Sequence, residues 1–142
     1  MSGQRWLAVA GLLGALAVGA GAFGAHGLRA WLADIDPQSA AGRLDNWNTA
    51  AHYQLIHAAA MAVAALVARS SYWGHAACAL YATGVVLFSG CLYLYVLTTD
   101  RLWALPVPIG GSAWIAGWLC LAAAGLSGVL ARKTENPFDV GT

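Results

Sequence analysis

Residues 72–97 read YWGHAACALYATGVVLFSGCLYLYVL. The stretch holds no Asp, Glu, Lys, Arg or Pro, and it exceeds the roughly 20 residues that carry a helix across a ~30 Å hydrocarbon core. It shows none of the polar–apolar alternation of a membrane β-strand. It therefore reads as a transmembrane helix. Working outward, residues 6–25, 49–68 and 107–131 repeat the pattern, each uncharged and rich in Ala, Leu and Gly. The sequence predicts an all-α integral membrane bundle of four transmembrane helices forming a single domain over residues 1–142, with a longer polar first loop at about His26–Asn48.

Composition supports this. Of 142 residues, 60% are hydrophobic and 9% charged, and the mean hydropathy is +0.63. Soluble domains carry about 25% charged residues. The formal charge of +1 excludes a polybasic nucleic-acid surface, so the expected surrounding partner is the lipid bilayer and nucleic acid is not a partner. Cys78, Cys91 and Cys120 all lie within spans at spacings that match no metal motif, and they read as packing thiols. Arg5, the apolar run and Ala20-Gly21-Ala22 imitate a secretory signal, but the segment is expected to remain as the first span.

Four spans put both termini and the 69–71 turn on one side, with Arg5, Arg69, Arg132 and Lys133. Arg29, Arg43 and Arg101 lie on the other, so the positive-inside rule predicts cytoplasmic termini. Within the first loop, Gln38–Trp47 is expected to form a short interfacial helix with Leu44 and Trp47 toward lipid and Arg43 and Asp45 in water. Trp6, Trp31, Trp47, Trp73 and Trp103 fall near span ends, as an aromatic belt would.

Gly19-Ala20-Gly21-Ala22-Phe23-Gly24 matches the G-x-G-x-x-G dinucleotide pattern by letter only, because no strand precedes it and no helix begins there. The glycines read instead as helix-packing positions. Gly11, Ala15 and Gly19 recur every four residues, as do Ala17, Gly21 and Ala25, with Gly24 nearby; Gly110, Gly111 and Gly117 serve the fourth span. Small residues at this spacing let helix backbones approach closely in lipid.

No charged side chain lies inside a span, which argues against a proton-coupled exporter. The polar residues at membrane depth are His26, Tyr53, Gln54, His57, Ser89 and Tyr93. They form the candidate polar cluster or ligand-binding group, with no catalytic or metal residues assigned. His57 lies about 13 Å into its helix at 1.5 Å per residue, with Tyr53 and Gln54 on its face. A buried neutral imidazole must satisfy both ring nitrogens, so a hydrogen-bonded hub with Tyr, Gln or Ser partners is the simplest reading. No cofactor is assigned. Haem, copper or zinc held by His26 and His57 is the alternative, and a quinone or lipid-headgroup pocket a further one. Phe23–His26, Tyr53–His57, Ser89 with Tyr93, and Pro108–Gly111 are expected to gather in one half of the bundle.

Gly21-Ala22-Phe23-Gly24-Ala25-His26-Gly27-Leu28, Tyr53-Gln54 with His57, Phe88-Ser89-Gly90-Cys91-Leu92-Tyr93, and Pro108-Ile109-Gly110-Gly111 with Gly117-Trp118 are ordered motifs over nearly the whole chain. Together they resemble domain-of-unknown-function family 423, the YgdD/YwdK type of small membrane protein. Cys91 stands where the family pattern usually has a small hydroxyl residue, and Pro106 is an extra proline before the last span. The resemblance implies a four-helix membrane protein without an established activity, and a bacterial cytoplasmic (inner) membrane location. Three functional expectations follow: a non-enzymatic protein packing with itself or with a larger membrane complex, a small cofactor-binding subunit, or a carrier or channel for a neutral or lipid-like molecule.

Overall fold

The computed structural model describes residues 2–68 and 71–135, with the side chains described through residue 127. Four long helices dominate it: α1 (Gly3–Ile35), α2 (Ala40–Val67), α3 (Tyr72–Thr98) and α4 (Val107–Glu135). A short 3-10 turn, Arg101–Ala104, precedes the last helix. No described residue is in a strand. Lipid offers backbone N–H and C=O groups no partners, so runs this apolar satisfy them within the segment. Pro37, Pro106 and Pro108 fall in connections or at a helix start, where a missing N–H costs little.

The helices lie in chain order. α1 packs chiefly on α2, α2 on α3, and α3 on α4. Half of α2's most apolar window is buried against only 17% of α1's, so α2 is central and α1 is an edge helix. One core cluster joins Met61, Ala64, Tyr81 and Trp114 in the half nearer the termini, and a second joins Leu28, Leu32, Trp47 and Val96 at the other end.

The expected long first loop is corrected. α1 continues to Ile35 and α2 starts at Ala40, leaving only residues 36–39 as a turn. Hydropathy marks where the hydrocarbon ends, not where the helix ends. Leu28 and Leu32 are fully buried against α2 and α3, so an apolar face persists beyond the membrane and the helix persists with it. The proposed interfacial helix is likewise the first turns of α2, rotated the other way. Arg43 and Trp47, four residues apart and therefore on one face, are 8% and 7% exposed and point inward.

Arg43 has a role that its charge concealed. Its Nε and Nη2 donate to the Val96 carbonyl at 3.0 and 2.5 Å. That carbonyl lies in the last turn of α3, where acceptors lack a helical partner. Nη1 reaches the Asp36 carboxylate at 3.3 Å, and the guanidinium lies 5.7 Å over the Trp31 ring. The Ser39 hydroxyl, with help from Arg43, holds the Asp36 carboxyl below its ordinary range. One side chain thus ties together α1, the 36–39 turn, α2 and the end of α3.

The glycine stripes divide. Gly11, Gly19 and Gly21 do not pack within the chain: a Cβ on any of them would meet nothing within 4 Å. The face of α1 that meets α2 instead carries Ala10, Gly14 and Ala17. It is offset from Gly11 and Ala15 by one residue, about 100° around the helix. At Gly24 a Cβ would lie 2.7 Å from Cδ1 of Trp47, at Gly110 2.5 Å from the Phe88 backbone nitrogen, and at Gly117 2.9 Å from the Tyr81 ring. Gly111 has ordinary contact, 3.8 Å from Phe88. Gly84, which the spacing argument passed over, has Trp114 seated directly on it.

Candidate functional site

Two segments of the bundle leave α-helical winding for π-turns: Gly24–Leu28 in α1 and Val85–Gly90 in α3. The first lies within the Gly21–Leu28 motif, and the second overlaps the Phe88–Tyr93 motif at Phe88–Gly90. A π-turn inserts one residue into the helix and re-aims the side chains around it, and such turns are frequent at functional sites.

The stretch of α2 from Trp47 to Gln54 bridges α1 and α3 beside them. Trp47 donates its indole N–H to the Ala20 carbonyl at 2.7 Å, and its ring sits 5.6 Å from Phe23 and 4.4 Å from Tyr93. The Gln54 amide donates to the Leu13 carbonyl at 2.9 Å, while its oxygen accepts from the Tyr93 hydroxyl at 3.1 Å. Ser89 donates to the Ala50 carbonyl at 2.8 Å. Each polar side chain therefore pins α2 to α1 or α3. Such bonds average only about 0.6 kcal/mol each in membranes, so their main effect is to fix register and rotation.

His57 lies deeper and belongs to a different neighbourhood. Its Nδ1 is 2.8 Å from the Tyr53 carbonyl, and its Nε2 is 3.3 Å from the indole nitrogen of Trp118. The indole can only donate and the carbonyl can only accept, which selects the neutral ring with its proton on Nδ1. The imidazole stacks on Trp114 at 3.9 Å with the planes 2° apart, and Tyr53 stacks on the same indole at 5.8 Å. Trp114 in turn donates to the Tyr81 carbonyl at 3.2 Å. The expected hub is therefore built differently. Its partners are a backbone carbonyl and two tryptophans of α4, whereas Gln54 is engaged with Leu13 and Tyr93. Sequence reasoning gave Trp114 no role and took Trp118 only as part of a motif. Both fall inside a span and away from its ends, where an aromatic belt does not explain them, and that was the available signal.

His26 is exposed on the α1 π-turn and does not join His57. Gly24, two residues away, is level with Trp47, and His57 is ten residues further along α2, about 15 Å. No group of three or more His, Cys, Asp or Glu could hold a metal ion among the described residues. The remaining motif segments do meet: Tyr53 lies 5.4 Å from Phe88, which also touches Gly110 and Gly111.

Among the clefts on the flanks of α2, two border the polar residues. One, of about 540 Å³, separates α1 from α3 and is lined by Leu13, Trp47, Gln54, Tyr93 and Trp103. The other, of about 510 Å³, lies where α2, α3 and α4 meet and is lined by Thr49, Tyr53, His57, Phe88, Trp114 and Trp118.

Residues 20–111, which contain both π-turns and the α2 bridge, match the family described as "Protein of unknown function (DUF423)". The chain belongs to this family. It is 39% identical over 115 residues to the UPF0382 membrane protein SH2409 of Staphylococcus haemolyticus, covering 78% of this chain and 88% of that one. It is 40% identical over 120 residues to SERP0230 of Staphylococcus epidermidis, covering 81% and 93%. The UPF0382 inner membrane protein YgdD of Escherichia coli K12 is 35% identical over 121 residues, covering 83% and 86%. No solved structure matches the chain. The family is thus one of small membrane proteins with no assigned activity, and the four apolar helices accord with it.

Proposed function

We propose that this family member is a non-enzymatic protein of the bacterial cytoplasmic membrane, with both termini cytoplasmic, that associates through the outer face of α1 with a second copy of itself. The observation that carries this is the stripe Gly11, Ala15 and Gly19, which is exposed, with Gly11 at the edge of a shallow groove against α2 and with nothing within 4 Å of a Cβ at Gly11 or Gly19, while the neighbouring small-residue face is spent on α2. Lipid is as apolar as leucine, so helices associate there through close backbone approach, and small residues every four positions permit it. A helix of a larger membrane complex could use the same face. The basic residues on the terminal side support the orientation, although Arg69 lies outside the described residues. The two-histidine cofactor reading has less support, since both nitrogens of His57 are engaged and His26 is remote.

Förster transfer between two dye-labelled populations in liposomes tests the association. Transfer is expected to persist as lipid dilutes the protein, and to collapse in a Gly11→Leu/Gly19→Leu variant whose melting is unchanged. Transfer that falls in simple proportion to dilution overturns the proposal. Reporter fusions at Thr142 that are active only outside the cytoplasm overturn the orientation.

A further inference from the structure

We propose that the cleft where α2, α3 and α4 meet binds the ring of a membrane-dissolved quinone or quinol; this goes beyond the self-association reading and does not rest on it. The cleft runs from Thr49 and Gly111 to His57 and Trp118. That is eight residues along α2, about 12 Å from the interfacial end of the span toward its middle. Its lining includes five aromatic or imidazole rings, from Tyr53, His57, Phe88, Trp114 and Trp118. Tyr53, His57 and Trp114 are held nearly parallel, with interplanar angles of 11° and 2° to the indole. His57 and Trp114 spend their faces on one another and are buried, so the open ring surface belongs to Tyr53 and Trp118, on which a flat ring stacks with the offset geometry that aromatic pairs favour.

The polar groups choose among flat rings. No charged side chain lines the cleft, so an anionic or cationic headgroup would lose its hydration without compensation. The neutral groups do offer both kinds of hydrogen bond. Tyr53 and Thr49 line the cleft, and neither hydroxyl forms a hydrogen bond among the described residues. Each can donate to a ring carbonyl. At the deep end both nitrogens of His57 are engaged, by the Tyr53 carbonyl and the Trp118 indole, so the polar contacts to a bound ring come from the Tyr53 and Thr49 hydroxyls, which can donate or accept. Tyr53 and Trp118 remain 44% and 46% exposed, a wide surface to leave bare beside a buried histidine. A neutral ring with oxygen substituents, entering from lipid with its apolar tail trailing outward, covers the exposed Tyr53 and Trp118 rings and meets the two hydroxyls. The proposal concerns binding and assigns no electron transfer.

The test uses the full chain in lipid nanodiscs with a photoreactive azidobenzoquinone carrying a decyl tail. Labelling is expected to map to residues 49–57 and 111–118 and to be displaced by unlabelled decyl-quinone. Gly111→Leu, which places a side chain in the cleft mouth, should weaken binding at least tenfold. Tyr53→Phe keeps the stack and removes only the hydroxyl, and it should weaken binding about three- to tenfold. If Gly111→Leu fails to fold, the Tyr53→Phe result decides. Leu94→Trp, in the other cleft, should leave binding unchanged. Label spread over all lipid-facing residues without displacement, label concentrated on Leu13 and Tyr93, or unaltered affinity in Tyr53→Phe would each overturn the proposal.

Discussion

Replacing Arg43 with Met should be among the costliest single changes in the molecule, although Arg43 reads as a solvated loop charge. Two of its donors serve the Val96 carbonyl, which the end of α3 leaves without a helical partner. Abandoning a buried acceptor costs about 1–3 kcal/mol. The ion pair adds little, because the Asp36 side chain is 38% exposed and solvent screens the pair. Losing the contact over Trp31 adds about 0.5–1 kcal/mol. Methionine returns part of the packing, leaving a loss of about 2–4 kcal/mol. Arg43→Lys should cost roughly half as much, since a single ammonium cannot serve both Val96 and Asp36. Asp36→Asn should change stability far less than Arg43→Met, because the pair is screened by solvent. The measurement is equilibrium unfolding by dodecyl sulfate in mixed micelles, followed by circular dichroism. An Arg43→Met protein within about 0.5 kcal/mol of the parent, or an Asp36→Asn protein equally damaged, would refute this account of the carbonyl.

Gly24→Ala should cost about 1–3 kcal/mol in the same assay, because Trp47 is held by Ala20 and Tyr93 and cannot retreat. Gly21→Ala, three residues earlier, should be neutral or slightly stabilising, since its Cβ meets nothing within 4 Å and alanine favours helix. His57→Leu should shift stability by a few kcal/mol at most, whereas His57→Asp should melt far lower because it installs a charge at membrane depth; equal melting temperatures would contradict this. Asp36 has a depressed folded pKa, so its stabilising contribution is complete above the ordinary carboxylate value of about 4 and fades as pH falls through the lower folded value. Ser39→Ala should move the Asp36 titration upward, which carboxyl-detected NMR in micelles would register.

Some of the site was legible. That Gln54, Ser89 and Tyr93 need partners follows from the rule that a polar group at membrane depth must find one, but the pairing of Gln54 with Tyr93 does not. His57 was legible as an inward neutral ring, but its partners were not. A helix face names which residues share a direction, and Tyr53 and Gln54 do share that of His57. Yet Gln54 is taken by α1 and α3, and α4 supplies the tryptophans. The choice between the Gly11 and Ala10 stripes was equally hidden, because α1 is rich in small residues nearly all round.

The sequence by itself determined that four helices cross a membrane, since charge-free runs of this length have no other way to satisfy their backbone in lipid. It also determined which residues are too polar to face that lipid. Only the tertiary structure decided where the helices end, which way each one turns, and which small residues meet a neighbour. Those outcomes depend on contacts between residues distant in the chain: Arg43 reaching Val96, Trp47 settling on Gly24, Trp114 on Gly84 and His57. Hydropathy reports the cost of leaving water residue by residue, and it contains no term for which neighbour will be there on arrival.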